Sequence, residues 1–287
     1  MGINREVVGR TFGPFNVPYT IRDTAIYALA VGADETEKIY FYEKYGPQVI
    51  PSFAAVPAFQ AAVAILPELG LENTPIVHGT QGVRLSGLIP PEGTFETVIT
   101  VRGIYDKGSG ALLDFLCKTR AGGEDLFENE IGFFVPGAGG FGGERGPKAE
   151  KIGVPERHPD FRVSMNTSRS QSILYELSFL PDPELQKLAV PRQDNLHINP
   201  DAAKGAGFGG PLLQGLCTLG YLVRAAVGEA LENDPTRVRG IRARFSAPVY
   251  PGQALVAEYW KDGGRLIARM KDDEGTVVIS DAAITCQ

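Results

Sequence analysis

The sequence predicts an α+β fold built twice, each copy an antiparallel sheet wrapped around one central helix. Three observations predict it. A glycine-dense stretch, VPGAGGFGGERGPKAEKIG at residues 135–153, divides the 287-residue chain nearly in half. The two halves echo one another in order and spacing. Each half reads as helix first, then a meander of alternating apolar and polar runs.

The echo begins with YTIRDTAIYALAVG in the first half and NTSRSQSILYELSF in the second. Thr20, Arg22, Tyr27 and Leu29 correspond to Thr167, Arg169, Tyr175 and Leu177. Each Thr precedes an apolar-periodic run, as a helix N-cap does. SFAAVPAFQAAVAILPEL is then the central helix of the first half, short and broken by Pro57. GVRLSGLIPPEGTFETVITV, residues 82–101, reads as two strands around a Pro- and Gly-containing turn. It matches GIRARFSAPVYPGQALVAEYW, residues 240–260. GALLDFLCKTR and DLFENEIGFFV complete the first meander, RLIARMKD and TVVISDAAIT the second.

Between the halves, the glycines read as a linker or an ordered crossover, because ordering them costs much entropy. The central helix of the second half is the longest, over residues 211–232. Pro211 stands in its first turn, with Leu212, Leu213, Leu216, Leu219, Leu222 and Val223 on one apolar stripe. The early matches lie 147 residues apart and the later ones 158. The second copy therefore holds extra residues between Tyr175 and Gly240.

Composition narrows the class. Hydrophobic residues make up 43% and charged residues 22%, values of a soluble globular chain with a core. No apolar run reaches the ~18 residues of a membrane span. The first residues lack a signal-peptide core, position 6 is Glu where a myristoylation site needs Ser or Thr, and the last three are Thr-Cys-Gln rather than a peroxisomal address. A cytoplasmic protein is the expectation. The net charge of −6 argues against nonspecific nucleic-acid binding, while leaving room for an anionic ligand on a local basic cluster. Cys117, Cys217 and Cys286 have no metal-ligand spacing and read as free, buried thiols.

The chemistry concentrates in RQDNLHINPDAAKGAGFGGPLLQGLCTLGY, residues 192–221. His197 has Asp194 three residues before it, and imidazole beside carboxylate is equipment for moving protons at neutral pH. Glycines 205, 207, 209 and 210 then lead into the helix start at Pro211. Unpaired amides and the positive end of a helix dipole suit an oxyanion. A base beside an oxyanion site fits hydration of an enone or enoyl thioester; the alternative is a structural turn histidine. The glycines at 135–153 lack the Lys-Ser/Thr of a P-loop, and GAGFGG lacks a βαβ context. His78, in PIVHGTQG, is a loop histidine or a ligand contact, and His158 reads as exposed linker. Arg242 and Arg244 alternate on one strand and so share a face, toward phosphates or solvent.

These residues resemble the MaoC-like, R-specific 2-enoyl-CoA hydratases, the hydratase 2 group, found alone and within peroxisomal multifunctional enzymes. HINPDAAKGAGFGGPLLQGLCTLGY is similar to that family's run from the catalytic His into the hydratase helix. IRARFSAPVYPGQALVAEYWKDGGRLIARM and VVISDA are similar to its C-terminal strands. YTIRDTAIYALAVGA, IVHGTQGVRL, IYDKGSGALL and FVPGAGGFGGERG resemble its N-terminal unit. The resemblance implies a double hot-dog fold. Residues 1–145 would form an N-terminal repeat holding the acyl tail, 146–160 a linker, and 161–287 the catalytic repeat. It implies reversible hydration of trans-2-enoyl-CoA, a homodimer, and no metal or redox cofactor. Carried over by position, His197 is the catalytic histidine, and His78, Gly79, Lys107, Gly215 and Phe245 contact the ligand. Lys107 and Arg244 are then candidates for the CoA phosphates.

One departure stands in the catalytic turn. The family reads Ser-Gly-Asp-x-Asn-Pro-Leu-His, with its acid five residues before the His. Here LYELS and NLHINP are separated by FLPDPELQKLAVPRQD, and Arg192 occupies the acid's place. Guanidinium stays protonated and cannot be the base. The family's second His is Gln214 here. Three readings are open. Asp194 takes the acid's role with His197, Asp182 or Glu184 folds back to do so, or the site lacks a working acid. In the last case the chain is an acyl-thioester-binding protein. A dehydratase of fatty-acid or polyketide assembly would run the same chemistry in reverse.

Overall fold

The computed structural model describes residues 2–72, 74–148, 150–180 and 194–287. Ten strands form one antiparallel sheet in the order β1-β3-β4-β5-β2-β7-β10-β9-β8-β6. In the first half these are β1 (Thr11–Tyr19), β2 (Val77–Leu85), β3 (Gly93–Asp106), β4 (Gly110–Ala121) and β5 (Glu124–Pro136). The second half supplies β6 (Phe161–Asn166), β7 (Val238–Phe245), β8 (Ala254–Asp262), β9 (Arg265–Asp272) and β10 (Val277–Cys286). The halves carry the same strand order, reflected about the β2–β7 pair. This is the double hot-dog arrangement.

That central pair explains the sequence echo. Val83 lies opposite Ile241, Gly82 opposite Arg242, and Arg84 opposite Gly240. Val83 thus faces its counterpart Ile241, and each Gly faces the other copy's Arg, as a local twofold axis between Val83 and Ile241 requires. Tyr27 and Tyr175, the other echoed pair, are both buried with ring centroids 6.1 Å apart.

The described residues form five α-helices: α1 (Ile21–Ala30), α2 (Ala55–Ala64), α3 (Gln171–Glu176), α4 (Pro200–Gly205) and α5 (Gly215–Ala230). α2 and α5 are the two central helices. Pro57 does not break α2; it falls in the first turn, where no amide partner is lost. α5 starts at Gly215, not at Pro211, because the preceding backbone is committed elsewhere. Leu212 N–H bonds the Leu196 carbonyl at 3.2 Å and Leu213 N–H bonds the Val249 carbonyl at 2.7 Å.

Two other expectations change. Each half opens with a strand rather than a helix. β1, with Pro14 and Pro18, and the six-residue β6 are the sheet's edges, where prolines and brevity are tolerated and periodicity is weak. Thr20 does start α1, with its amide and hydroxyl both bonded to the Asp23 carboxylate. Thr167 does not start α3: its hydroxyl donates to the Gln253 carbonyl, and Ser170 takes the N-cap position. The glycine-dense stretch is ordered where it wraps the Asp106 carboxylate, which accepts the amides of Gly140, Gly108 and Gly142. Those bonds hold its pKa down at about 2.

The two halves also interlock through helices. Gln171 Nε2 donates to the Ala30 carbonyl at 2.7 Å. Arg224 of α5 bonds the Val31 carbonyl at 2.9 Å and Glu37 at 2.7 Å. Cys117 and Cys217 are buried and Cys286 is half-buried, and all three are free. Among the described residues no helix is long and apolar enough to cross a membrane.

The closest approach of α5 to the end of α1 is at Gly220, where a Cβ would sit 2.2 Å from Val31 Cγ1. At Gly228, on the same helix, the nearest atom to an added Cβ is 3.8 Å away. Gly220→Ala is therefore expected to lower stability by about 1–3 kcal/mol through overpacking. Gly228→Ala should raise it by up to about 1 kcal/mol through helix propensity. Chemical denaturation of both variants checks the pair; shifts of the same sign would contradict the packing described.

Candidate active site

The turn at 194–199 is organised by Asn195. Its buried side-chain oxygen accepts the His197 amide at 2.9 Å, and its carbonyl accepts the amides of Ile198 and Asn199. Asn side chains favour such turns because they replace a backbone acceptor. Asn199 then caps α4, accepting the Asp201 amide at 2.9 Å, with Pro200 in the first turn. His197 is left with its ring against the Leu212 carbonyl, Nδ1 to oxygen 2.9 Å. A carbonyl only accepts, so Nδ1 carries the proton and Nε2 keeps a lone pair. Burial pushes the His197 pKa below the ordinary histidine value, more than the Leu212 bond raises it. The imidazole is neutral at neutral pH and equipped as a base.

Leu212 belongs to the extended stretch before α5. Its carbonyl also accepts the Ser172 hydroxyl at 2.9 Å. Gln214 occupies the N-cap position, and its carbonyl takes the amides of Cys217 and Thr218. The amides of Gly215 and Leu216 stand ahead of that first intrahelical bond, at the positive end of a 16-residue helix. Base and helix start are thus fixed by consecutive residues, 212 to 214.

Phe245 brings the first repeat to this place. A Cβ at Gly215 would lie 3.0 Å from the Phe245 ring, so glycine permits the contact. Phe245 also packs edge-on against His78, centroids 5.0 Å apart. His78 is the second residue of β2 rather than part of a loop, and it sits among Phe133 at 5.1 Å and Phe59 at 5.7 Å. Its Nε2 lies 3.2 Å from the Thr80 carbonyl, and burial pushes its pKa down to about 4. Gly79 is the bulged residue where the β2–β5 register shifts between His78 and Thr80.

The other expected residues are placed differently. Lys107, at the β3–β4 turn, donates its ammonium to the Arg145 carbonyl. Along β7, Ile241 and Ala243 are buried while Arg242 and Arg244 are exposed, so Arg244 faces away from the helices and Phe245 toward them. Arg242 is paired with Glu150. His158 is exposed. Asp194 is exposed, and the His197 Nδ1 that it would orient is taken by Leu212. Asp182, Glu184 and Arg192 lie outside the described residues.

Sequence reasoning missed Glu176. It ends α3, on the far side of the inserted segment, and only the fold brings it to the turn. Its Oε1 accepts Asn195 Nδ2 at 3.0 Å, and its Oε2 accepts Gln214 Nε2 at 3.1 Å. The signal available was helical spacing, since Ser172 and Glu176, four apart on α3, both reach the residues around His197.

Comparison with known proteins bears on the fold and the family. The model of the MFE-2 hydratase 2 N-terminal domain matches residues 17–137, and that of the MaoC-like domain matches residues 193–283. A probable enoyl-CoA hydratase 2 of Dictyostelium discoideum is 34% identical, covering 90% of this chain and 86% of that one. The peroxisomal multifunctional enzyme type 2 of Mus musculus is 35% identical over 96% of this chain, which spans 38% of the mouse enzyme. A MaoC-like dehydratase from Phytophthora capsici superposes with a TM-score of 0.82 at 27% identity, covering 99% of this chain and 98% of that one. With both halves matched in order, the chain belongs to the hydratase 2 family of MaoC-like, double hot-dog proteins.

Proposed function

We propose that this protein adds water reversibly across a trans-2-enoyl-CoA, giving the (3R)-3-hydroxyacyl-CoA of fatty acyl-CoA metabolism. One observation carries the reading: a neutral imidazole and a helix N-terminus are held by the same three residues, 212 to 214. Enoyl-thioester hydration needs a base for water and a place for an enolate oxygen, and this site offers both. The names of the relatives supply the substrate class.

His197 Nε2 takes a proton from water as the water oxygen bonds to C3. The double-bond pair moves to C2 and on to the thioester oxygen, which becomes an enolate. The amides of Gly215 and Leu216 stabilise that oxygen. The imidazolium returns its proton to C2, the enolate collapses, and neutral imidazole is restored. His78, Gly79 and Phe245 line the thioester end, and the N-terminal repeat, with its ten-residue α2, receives the acyl tail. The CoA phosphates fall to Lys107 and Arg244, the latter exposed near the end of β7.

His197→Ala should lower kcat/KM for an enoyl-CoA by about 10²–10⁴-fold, the usual contribution of a general base. Asp194→Asn should change it by less than about threefold, since that side chain is exposed. Loss of the enoyl-thioester absorbance reads both. Equal losses would return Asp194 to the base's side, and an undiminished His197→Ala would overturn the reading.

The pH dependence has a definite sign. Only neutral His197 is competent, and burial lowers its pKa. Activity should therefore persist as pH falls past the ordinary histidine value of about 6.5, and fail only below it. An acid limb of kcat/KM above that value would contradict the buried, neutral base.

A further inference from the structure

A carboxyl group at the end of α3 touches the turn and is left unused by the mechanism above. Glu176 presents one oxygen to each of two buried amides. Asn195 Nδ2 bonds Oε1, and the same Asn195 spends its oxygen on the His197 amide. Gln214 Nε2 bonds Oε2, and Gln214 immediately precedes Gly215. A single carboxylate therefore spans from the turn of the base to the helix that receives the enolate.

The direction of the Gln214 amide shows how strongly this contact shapes the site. Its Nε2 lies between two acceptors, Glu176 Oε2 and the Ser172 carbonyl, each at 3.1 Å. Turning the amide over would set its oxygen against both. The orientation kept leaves Gln214 Oε1 buried with no hydrogen-bond partner, an arrangement that costs free energy in a buried amide. The Ser172 carbonyl and Glu176 together hold the amide in that orientation.

We propose that Glu176 is a positioning residue for the hydration, holding the His197 base and the Gly215 and Leu216 amides at a fixed separation. The proposal rests on the hydratase reading of the site. Water on the imidazole and oxygen at the helix must both meet one planar enoyl group, and misplacement by about 1 Å can cost on the order of 10²-fold in rate. The carboxylate supplies the rigidity from α3, an element tied to the end of α1 through Gln171 and Ala30.

Glu176→Gln keeps the size but gives one of the two amide donors another donor to face. It should lower kcat by about 10–100-fold with KM changed less than about threefold. In the His197→Ala background the same substitution should cost less than about threefold, because it acts through the base. Equal losses in both backgrounds, or an unchanged kcat, would overturn the proposal. A readout without substrate accompanies this: ¹⁵N spectra of the three histidines, with His197 assigned by its Ala variant. The wild type should show the Nδ1–H tautomer, and Glu176→Gln a mixture of tautomers; an unchanged His197 spectrum counts against positioning. Should Glu176→Gln fold poorly, Asn195→Ser cuts the same link from the turn side and is read in the same way. A wild type that turns over no enoyl-CoA contradicts the hydratase reading, while the spectra still decide whether Glu176 positions the imidazole.

Discussion

The antiparallel pairing of β2 with β7 sets the rest of the molecule. Five strands from each half would leave open edges at these two strands, and joining them makes one sheet with no exposed edge at its centre. The register through Val83 and Ile241 fixes what meets at the ends of the two strands. His78, at the start of β2, and Phe245, at the end of β7, become neighbours, with Gly215 of α5 against the same ring. The candidate site therefore lies on the seam between the repeats and draws from both. A one-residue slip would turn Phe245 to the outer face and Arg244 inward, dismantling it.

The helices complete this division of labour. α5 crosses the seam, and its Arg224 reaches Val31 and Glu37 of the first half. Both Arg224 and Glu37 are mostly withdrawn from solvent, with side chains 13% and 18% exposed. Such a pair is costly to break from one side only, so it locks the orientation of the helix whose N-terminus the site uses. The His197 turn is tied to the same helix through Leu212 and Gln214. Geometry near the reacting atoms thus depends on contacts made well away from them.

The repeat was legible because its central strands keep Gly-apolar-Arg on both sides of the dyad, and alternating strands declare themselves by period. The edges were not. β1 carries two prolines and β6 is short and half-exposed, so neither shows a clean alternation. The start of α5 was misread because Pro211 and two leucines look helical, while the decisive factors are backbone bonds to Leu196 and Val249, distant in sequence. At the site, His197 stood out by residue type and by its position ahead of a glycine-rich helix start. Glu176, Asn195 and Gln214 did not, since hydrogen bonds across an insertion leave no local pattern. The imidazole's tautomer, on which the chemistry turns, follows from one carbonyl that no sequence rule points to.

The central claim is that the seam site hydrates an enoyl thioester on one face only. Its most direct test is the configuration of the product. The protein would be incubated with a short trans-2-enoyl-CoA, and the resulting 3-hydroxyacyl chain resolved on a chiral phase. One base and one oxyanion site hold water to a single face of the bound enoyl group and so give one enantiomer, and (3R) is the one expected, the configuration of the R-specific hydratases that this chain resembles. A (3S) or racemic product, or no hydration with the substrate bound, would contradict it.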